Sequence, residues 1–242
     1  MRVIVCEDYA ELSLQGAKLI ASQILLKPDC VLGLATGSTP IGVYENLIRM
    51  NQAGEVDFRD VTTFNLDEYY PMSPENPQSY RYFMDHQFFD HINIDRAKTF
   101  IPNGQTDDPE QECQAYEEKI AAYGGIDFQL LGIGQNGHIG FNEPDDNLNV
   151  ETHMTDLTKS TIEANSRFFE TIDDVPKMAL TMGIATILKS RRICLLASGL
   201  SKYKIVQALL TNDINTNVPA TMLKVHPDVT LICDRKAYYG KA

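Results

Sequence analysis

The sequence predicts an α/β fold: a three-layer, Rossmann-like, mostly parallel sheet with helices on both faces. Short apolar runs alternate along the chain with amphipathic stretches, which is the pattern of repeated strand–helix units. The runs lack the in–out alternation of half-exposed strands, so both faces of the sheet should be covered. No composition break, repeat or linker interrupts residues 1–242, and we therefore expect a single domain.

Six apolar runs are predicted to be buried strands. Each is only five or six residues long, which is too short for an independent helix. They comprise residues 2–6, 31–35, 61–66, 128–133, 192–197 and 229–233.

Helices are predicted between these strands from their caps and their apolar periodicity. Asp8 precedes the first helix, with Glu11 placed as in a capping box. Pro40 suits the first turn of the second helix. Further helices are expected at residues 79–92, 109–122, 158–168 and 178–188, and another after residue 202.

The composition limits the partners of this chain. The formal net charge of −12 argues against nucleic acid or an anionic membrane, because both require a basic surface. The five cysteines are scattered and never form a C-x-x-C pair, which is typical of thiols in a reducing compartment. The apolar stretch at residues 3–6 is too short for a signal peptide or a membrane span. We expect a cytoplasmic protein.

Two small-residue turns between a strand and a helix are candidate anion sites. The first contains Gly37, Ser38 and Thr39, and the second, residues 198–202, ends in Lys202. Free N–H groups and hydroxyls at the positive end of a helix dipole suit a phosphate. The alternative at the first turn is a plain helix cap by Ser38 or Thr39. Neither nucleotide-binding glycine motif is present at that turn, so a nucleotide is not implied.

The glycine-rich loop at residues 132–144 is a candidate catalytic segment. It follows a predicted strand and contains an amide, an imidazole and a carboxylate, in Asn136, His138 and Glu143. Ligands of open α/β sheets bind beyond the carboxyl ends of the strands, where this loop begins. The alternative is a β-hairpin at Asn136-Gly137, but the Asn-Glu-Pro ending stops strand pairing.

Two carboxylates, Asp67 and Glu68, directly follow another predicted strand. Carboxylates at such a position are candidate acid–base groups, and the alternative is a pair of solvated loop acids.

The spacing His138-x-x-x-x-Glu143 differs from a helical zinc motif and no cysteine lies beside it, so we expect no metal or organic cofactor. The polar, irregular segment at about residues 145–175 is predicted to be a lid.

Five segments together resemble the glucosamine-6-phosphate deaminase family of sugar-phosphate isomerases. The pair Asn-Leu-Asp-Glu-Tyr at 65–69 and Asn-Gly-His-Ile-Gly-Phe-Asn-Glu-Pro at 136–144 is highly specific. The other three are Leu-Gly-Leu-Ala-Thr-Gly-Ser-Thr-Pro at 32–40, Ala-Asn-Ser-Arg-Phe-Phe at 164–169 and Ser-Gly-Leu-Ser-Lys at 198–202. The segments at 32–40 and 198–202 are shared loosely with other sugar-phosphate proteins.

The resemblance implies deamination and isomerisation of glucosamine 6-phosphate to fructose 6-phosphate and ammonium, in amino-sugar catabolism. It implies that Asp67 takes the proton from C2. It also implies that His138 opens the sugar ring, oriented by Asn136 and Glu143. The implied phosphate ligands are Gly37, Ser38, Thr39, Arg167 and Lys202.

One position departs from the family pattern. Other members carry Asp where this chain has Asn136, and an amide cannot take a proton. Asn136 is therefore expected only to orient His138. Short bacterial members share this amide, so the resemblance does not imply a loss of activity.

The resemblance also bears on regulation. Larger hexameric members are activated by N-acetylglucosamine 6-phosphate, which binds at a subunit interface through basic residues after the Asn-Glu-Pro motif and through a carboxyl-terminal extension. Residues 146–155 of this chain contain no lysine or arginine, and the sequence ends soon after the last predicted strand. We expect a monomer with hyperbolic kinetics.

Two other functions remain open on the same sheet. A 6-phosphogluconolactonase-like hydrolase would need the central histidine but neither a base at Asp67 nor this Asn-Glu-Pro ending. A sugar-phosphate-sensing domain of a transcription regulator would carry a basic helix-turn-helix segment, whereas this chain is acidic and begins with a predicted strand.

Overall fold

The computed structural model describes residues 1–241, apart from the side chain of Phe168. Its strands are β1 (Arg2–Cys6), β2 (Val31–Leu34), β3 (Thr62–Asn65), β4 (Asp67–Tyr70), β5 (Thr99–Phe100), β6 (Phe128–Gly132), β7 (His153–Asp156), β8 (Met178–Thr181), β9 (Arg192–Ala197) and β10 (Val229–Asp234). Its α-helices are α1 (Tyr9–Leu26), α2 (Ile41–Gln52), α3 (Tyr80–Gln87), α4 (Pro109–Ala122), α5 (Lys159–Asn165), α6 (Ile184–Leu188), α7 (Tyr203–Leu210) and α8 (Arg235–Tyr239).

Seven strands form one parallel sheet in the order β1-β10-β9-β6-β2-β3-β5. Consecutive residues of β6, Leu130 and Leu131, belong to two different buried clusters. Because neighbouring side chains of a strand point to opposite faces, each face of the sheet has its own apolar core. The fold class predicted from the sequence is confirmed.

The strand order places the loops that carry the candidate site side by side at the carboxyl ends of the parallel strands. β2 and β6 are neighbours, but the chain continues from β2 outward to β3 and from β6 in the opposite direction to β9. Such a reversal of order leaves a crevice beyond the carboxyl ends of the two strands, where ligands of open α/β sheets bind. The turn after β2 and the loop after β6 both open into this crevice.

A second, three-stranded antiparallel sheet, in the order β4-β8-β7, was not predicted. The chain passes from the large sheet to the small one at Leu66, whose N–H donates to Leu34 O and whose carbonyl accepts from Met182 N. The helix predicted at residues 178–188 is wrong in its first half, because β8 occupies that part and α6 begins only at Ile184. Pairing with β4, which lies far earlier in the sequence, decides the conformation of β8.

The start of α1 was predicted correctly from its capping residue. Asp8 Oδ1 accepts from the N–H of Glu11 at 2.9 Å, as predicted, although Glu11 Oε2 accepts from the N–H of Glu7 and not from that of Asp8. The helix predicted at 79–92 ends as α3 at Gln87, followed by a 3₁₀ turn at Phe89–His91. The five cysteines are buried and free, in agreement with the absence of a disulfide frame.

Candidate active site

A cleft of about 910 Å³ lies at the crevice beyond β2 and β6. The sequence-predicted site residues that line it are Gly37, Ser38, Thr39, Asp67, Asn136, His138, Arg167 and Lys202. Glu143 is one contact further from the cleft, beside the imidazole of His138. The fold therefore brings together residues from separate parts of the sequence.

The loop after β6 holds the imidazole of His138 from two sides. Gly134 lies so close to the ring that a Cβ atom at that position would overlap three ring atoms. On the other side, His138 Nδ1 is 3.2 Å from Glu143 Oε2. Because an ionised carboxylate only accepts hydrogen bonds, Nδ1 carries the proton and Nε2 is the basic nitrogen.

Asn136 supports this arrangement through hydrogen bonds to Glu143 and to the backbone of His138. Its Nδ2 donates to Glu143 Oε2 at 2.7 Å, and its Oδ1 accepts from the backbone N–H of His138 at 3.2 Å. The amide thus fixes the carboxylate and the loop. That Asn136 orients His138 and does not itself transfer a proton stays a prediction.

Glu143 also receives a hydrogen bond from outside the loop. Thr161 Oγ1, on α5, donates to Glu143 Oε1. Burial raises the pKa of Glu143, but the hydrogen bonds from His138, Thr161 and Asn136 outweigh it, so the pKa lies below its ordinary value. Glu143 is therefore a carboxylate at neutral pH.

Asp67 is the first residue of β4 and is almost fully buried, at 6% exposure. Burial raises the pKa of Asp67 to about 8, and the neighbouring charge of Glu68 adds to the rise. The carboxylate lies close to the glycine-rich loop at residues 132–144, hereafter the central loop, since Oδ2 lies 3.6 Å from the position that a Cβ atom would take at Gly140. β8 fixes this arrangement, because it pairs with β4 while Thr181 Oγ1 accepts from Phe141 N at 3.0 Å.

Glu68 has a different task from Asp67. Its carboxylate accepts at 2.9 Å from each of the backbone N–H groups of Tyr69, Tyr80 and Arg81, the last two at the start of α3. Burial raises the pKa of Glu68 to about 7, and these hydrogen bonds oppose the rise. Only Asp67 of the pair lines the cleft, and neither is a solvated loop acid.

Two cationic side chains, Lys202 and Arg167, also line the cleft. Lys202 Nζ donates to Ile133 O at 2.6 Å, and Arg167 Nη2 is 3.5 Å from Ser38 Oγ. Burial, followed by the charge of Arg167, lowers the pKa of Lys202 to about 8. Two cations in a partly buried cleft disfavour each other, and an anion bound between them would relieve that cost.

Sequence reasoning missed Thr161. Tyr69 both lines the cleft and packs against aromatic neighbours, since its ring centroid lies 4.7 Å from that of Tyr80 and 5.8 Å from that of Phe141. No sequence signal marks Thr161, because its contact with Glu143 depends on where α5 packs.

Two properties of the described chain concern cofactors and membranes. Over residues 1–241, no cluster of three or more His, Cys, Asp or Glu side chains is placed to hold a metal ion. None of the helices described is both long and apolar enough to span a bilayer.

The fold and the site define an α/β protein with candidate acid–base groups and a candidate anion subsite at the point where the strand order of a parallel sheet reverses. The family model described as "Glucosamine-6-phosphate isomerases/6-phosphogluconolactonase" matches residues 8–232, and the chain belongs to that family. It is 60% identical to a glucosamine-6-phosphate deaminase of Halothermothrix orenii over 98% of each chain. It is 54% identical to one of Clostridium perfringens, again over 98% of each chain.

Solved structures agree with this membership. A monomeric glucosamine-6-phosphate deaminase superposes with a TM-score of 0.97 at 49% identity, covering 100% of both chains. A 6-phosphogluconolactonase from Thermotoga maritima superposes with a TM-score of 0.76 at 20% identity, covering 97% of this chain and 99% of that one. The second likeness shows the shared fold alone.

Proposed function

We propose that this protein is a glucosamine-6-phosphate deaminase, which converts glucosamine 6-phosphate and water into fructose 6-phosphate and ammonium. The observation that carries the proposal is one cleft that is lined by a buried carboxylate, Asp67, by the imidazole of the His138–Glu143 pair, and by the cations Lys202 and Arg167. The high identity to deaminases over nearly the whole chain supports the same reaction.

His138 opens the pyranose ring. Its Nε2 takes the proton of the C1 hydroxyl and returns a proton to the ring oxygen, as the C1–O5 bond breaks and the C1 aldehyde forms. Glu143 stabilises the transient imidazolium through Nδ1–H, and Asn136 holds Glu143 in place.

Asp67 then removes the proton from C2, which is acidic because it lies α to the new carbonyl. The electron pair passes to the carbonyl oxygen, which takes a proton from the adjacent ammonium group of the substrate to give an enolamine. Asp67 then returns its proton to C1, which gives the protonated C2 imine. Water hydrolyses the imine to the ketose and releases ammonium. With a pKa of about 8, Asp67 is a stronger base than an ordinary carboxylate and can both take and return a proton near neutral pH.

The phosphate binds beside Lys202 and Arg167. Lys202 and Arg167 supply charge-assisted hydrogen bonds, while Ser38, Thr39 and the backbone at Gly37 supply further donors beside α2. In this pose the phosphate anchors one end of the substrate and leaves C1 and C2 between His138 and Asp67.

A coupled assay of ammonium and fructose 6-phosphate formation tests the function. We expect both products in equal amounts from glucosamine 6-phosphate, and little hydrolysis of 6-phosphogluconolactone. Lactone hydrolysis without ammonium release would favour the hydrolase alternative. Asp67→Asn separates the two, because only the deaminase needs a base at this position.

We also propose that the protein is a monomer, which is supported by the likeness to a monomeric deaminase, and that it needs no metal or organic cofactor. Analytical ultracentrifugation over a range of concentrations tests the first part. Activity after exhaustive chelation tests the second. The cytoplasmic location and the lid at residues 145–175 stay predictions.

A further inference from the structure

Tyr9, the first residue of α1, contacts the turn that carries Ser38 and Thr39 from outside the cleft. Its hydroxyl accepts from the backbone N–H of Gly42 at 2.9 Å. The same hydroxyl lies 3.1 Å from Ser38 O and 3.0 Å from Thr39 O, so its single proton is shared between these two carbonyls. One side chain from another helix thus joins both ends of the turn.

This contact takes the place of a helix cap. The first N–H groups of a helix have no partner within the helix, and a Ser or Thr just before it normally accepts from one of them. Here α2 begins at Ile41 after Pro40, and no side chain at the cap position makes that bond. The N–H of Gly42 is directed to Tyr9 instead. The alternative of a plain cap by Ser38 or Thr39 is therefore wrong.

The close approach of the two helices depends on Gly42. A Cβ atom there would overlap Ser13 Oγ and lie 3.0 Å from the Tyr9 hydroxyl. The absence of a side chain lets the start of α2 reach Tyr9, while Ser38 and Thr39 line the cleft. Ser38 Oγ accordingly lies 3.5 Å from Arg167 Nη2, across the proposed phosphate subsite.

We propose that Tyr9 is a positioning residue for substrate phosphate. By capping α2 from outside, it keeps the hydroxyls of Ser38 and Thr39 available to the phosphate and holds their backbone in place. The proposal rests on the proposed function for the identity of the substrate. Tyr9 itself does not line the cleft and does not take part in the proton transfers.

Tyr9→Phe tests the proposal, because it removes the hydroxyl and keeps the ring. Without its acceptor, the Gly42 N–H recruits a hydroxyl of the turn, and the phosphate loses that donor. A neutral hydrogen bond contributes enough for about a three- to tenfold change in affinity. We expect KM for glucosamine 6-phosphate to rise by that factor, with kcat nearly unchanged, and the Kd of inorganic phosphate measured by calorimetry to rise in parallel.

Tyr123→Phe is the matched control. Tyr123 is exposed and its ring packs on Phe64 and Phe100, away from the cleft, so the loss of its hydroxyl should change neither KM nor phosphate affinity. Ser38→Ala, alone and combined with Tyr9→Phe, shows whether Tyr9 acts through the turn. In that case the two effects on phosphate affinity are not additive.

Three results would overturn the proposal: an unchanged phosphate affinity in Tyr9→Phe, a loss in kcat with unchanged KM, or full additivity with Ser38→Ala. Failure of the proposed function would look different. The parent protein would then release no ammonium from glucosamine 6-phosphate, and the phosphate titrations would still judge the role of Tyr9.

Discussion

Each acid–base group of the cleft takes its protonation state from its surroundings. Hydrogen bonds from His138, Thr161 and Asn136 lower the pKa of Glu143. Asp67 is buried beside the carboxyl group of Glu68, and its pKa is raised to about 8. Two carboxyls of similar intrinsic acidity are thereby separated into a permanent anion and a group that exchanges protons near neutral pH. This separation matches the proposed roles of orienting His138 and moving the C2 proton.

Asp67→Asn should abolish deamination while leaving substrate binding largely intact, since it removes a base but keeps the shape of the side chain. Removal of a general acid–base group costs about 10²- to 10⁴-fold in rate. The measurement is exchange of the substrate's C2 hydrogen with solvent deuterium, with binding followed by calorimetry. Exchange at the parent rate would show that another group is the base.

The same substitution should change the pH dependence of stability. Because the pKa of Asp67 is higher in the folded protein than in the unfolded chain, the folded state binds more protons between about pH 4 and pH 8, and stability falls as pH rises through that window. Asparagine lacks this penalty. We expect Asp67→Asn to gain on the parent by on the order of a few kcal/mol between about pH 5 and pH 8.

Denaturant unfolding of both proteins at the two pH values measures this gain. Asp127→Asn is a useful contrast, because hydrogen bonds and charges from Lys27 and Arg191 outweigh burial and lower the pKa of that carboxyl. The loss of stability caused by Asp127→Asn should therefore be about equal at the two pH values. An identical stability difference between Asp67→Asn and the parent at about pH 5 and pH 8 would contradict the raised pKa.

Among the elements, α5 and the residues that follow it contact both the central loop and the turn after β2. Thr158 caps this helix, and Thr161 in its first turn donates to Glu143. Arg167, which follows α5, reaches Ser38 on the turn after β2. One short segment therefore touches both the carboxylate that orients His138 and the proposed phosphate subsite, which is what a lid that responds to substrate would need.

Thr161→Val should lower kcat more than it raises KM, because it leaves Glu143 free to turn away from His138. Thr161→Ser should restore activity by restoring the hydroxyl. In a Glu143→Gln background, Thr161→Val should have little further effect. Initial rates of the parent and these variants measure this. Thr155→Val, on neighbouring β7, is the control, and an effect of Thr161→Val that persists undiminished in the Glu143→Gln background would refute the coupling.

How far these elements could be predicted depends on how local their causes are. Asp8 begins α1 and Thr158 begins α5 through bonds to residues three positions later, so sequence was sufficient. Asn136, His138 and Glu143 lie within eight residues, so their contact could be inferred. The strand β8 and the cap by Tyr9 could not, because each depends on a partner far away in the sequence.

At the scale of the whole molecule, the order of the strands brings the segments that line the cleft together at the carboxyl ends of the parallel strands. The turn after β2, the start of β4 after β3, the loop after β6 and the turn after β9 all reach it. The small sheet adds a further constraint, since β8 fixes both Asp67 and the central loop.

Regulation by a second ligand also depends on the whole molecule. An activating sugar phosphate needs a second site that favours one state of the protein, and in the larger hexameric relatives that site uses basic residues after the Asn-Glu-Pro motif. Residues 146–155 of this chain carry Asp146 and Glu151 but no lysine or arginine. Burial lowers the pKa of His153, only partly opposed by its hydrogen bond to Glu151 O, so this side chain is neutral at pH 7 and cannot offset the acids.

We therefore expect hyperbolic initial rates across glucosamine 6-phosphate concentration, and no activation by N-acetylglucosamine 6-phosphate beyond weak competition at the active site. A phosphate dianion is repelled by the acids of this segment and finds no lysine or arginine within it. Rates measured with and without the acetylated sugar phosphate, at protein concentrations spanning those used for sedimentation, decide the matter. Sigmoidal rates that this ligand converts to hyperbolic ones would place an effector site on other residues of the chain.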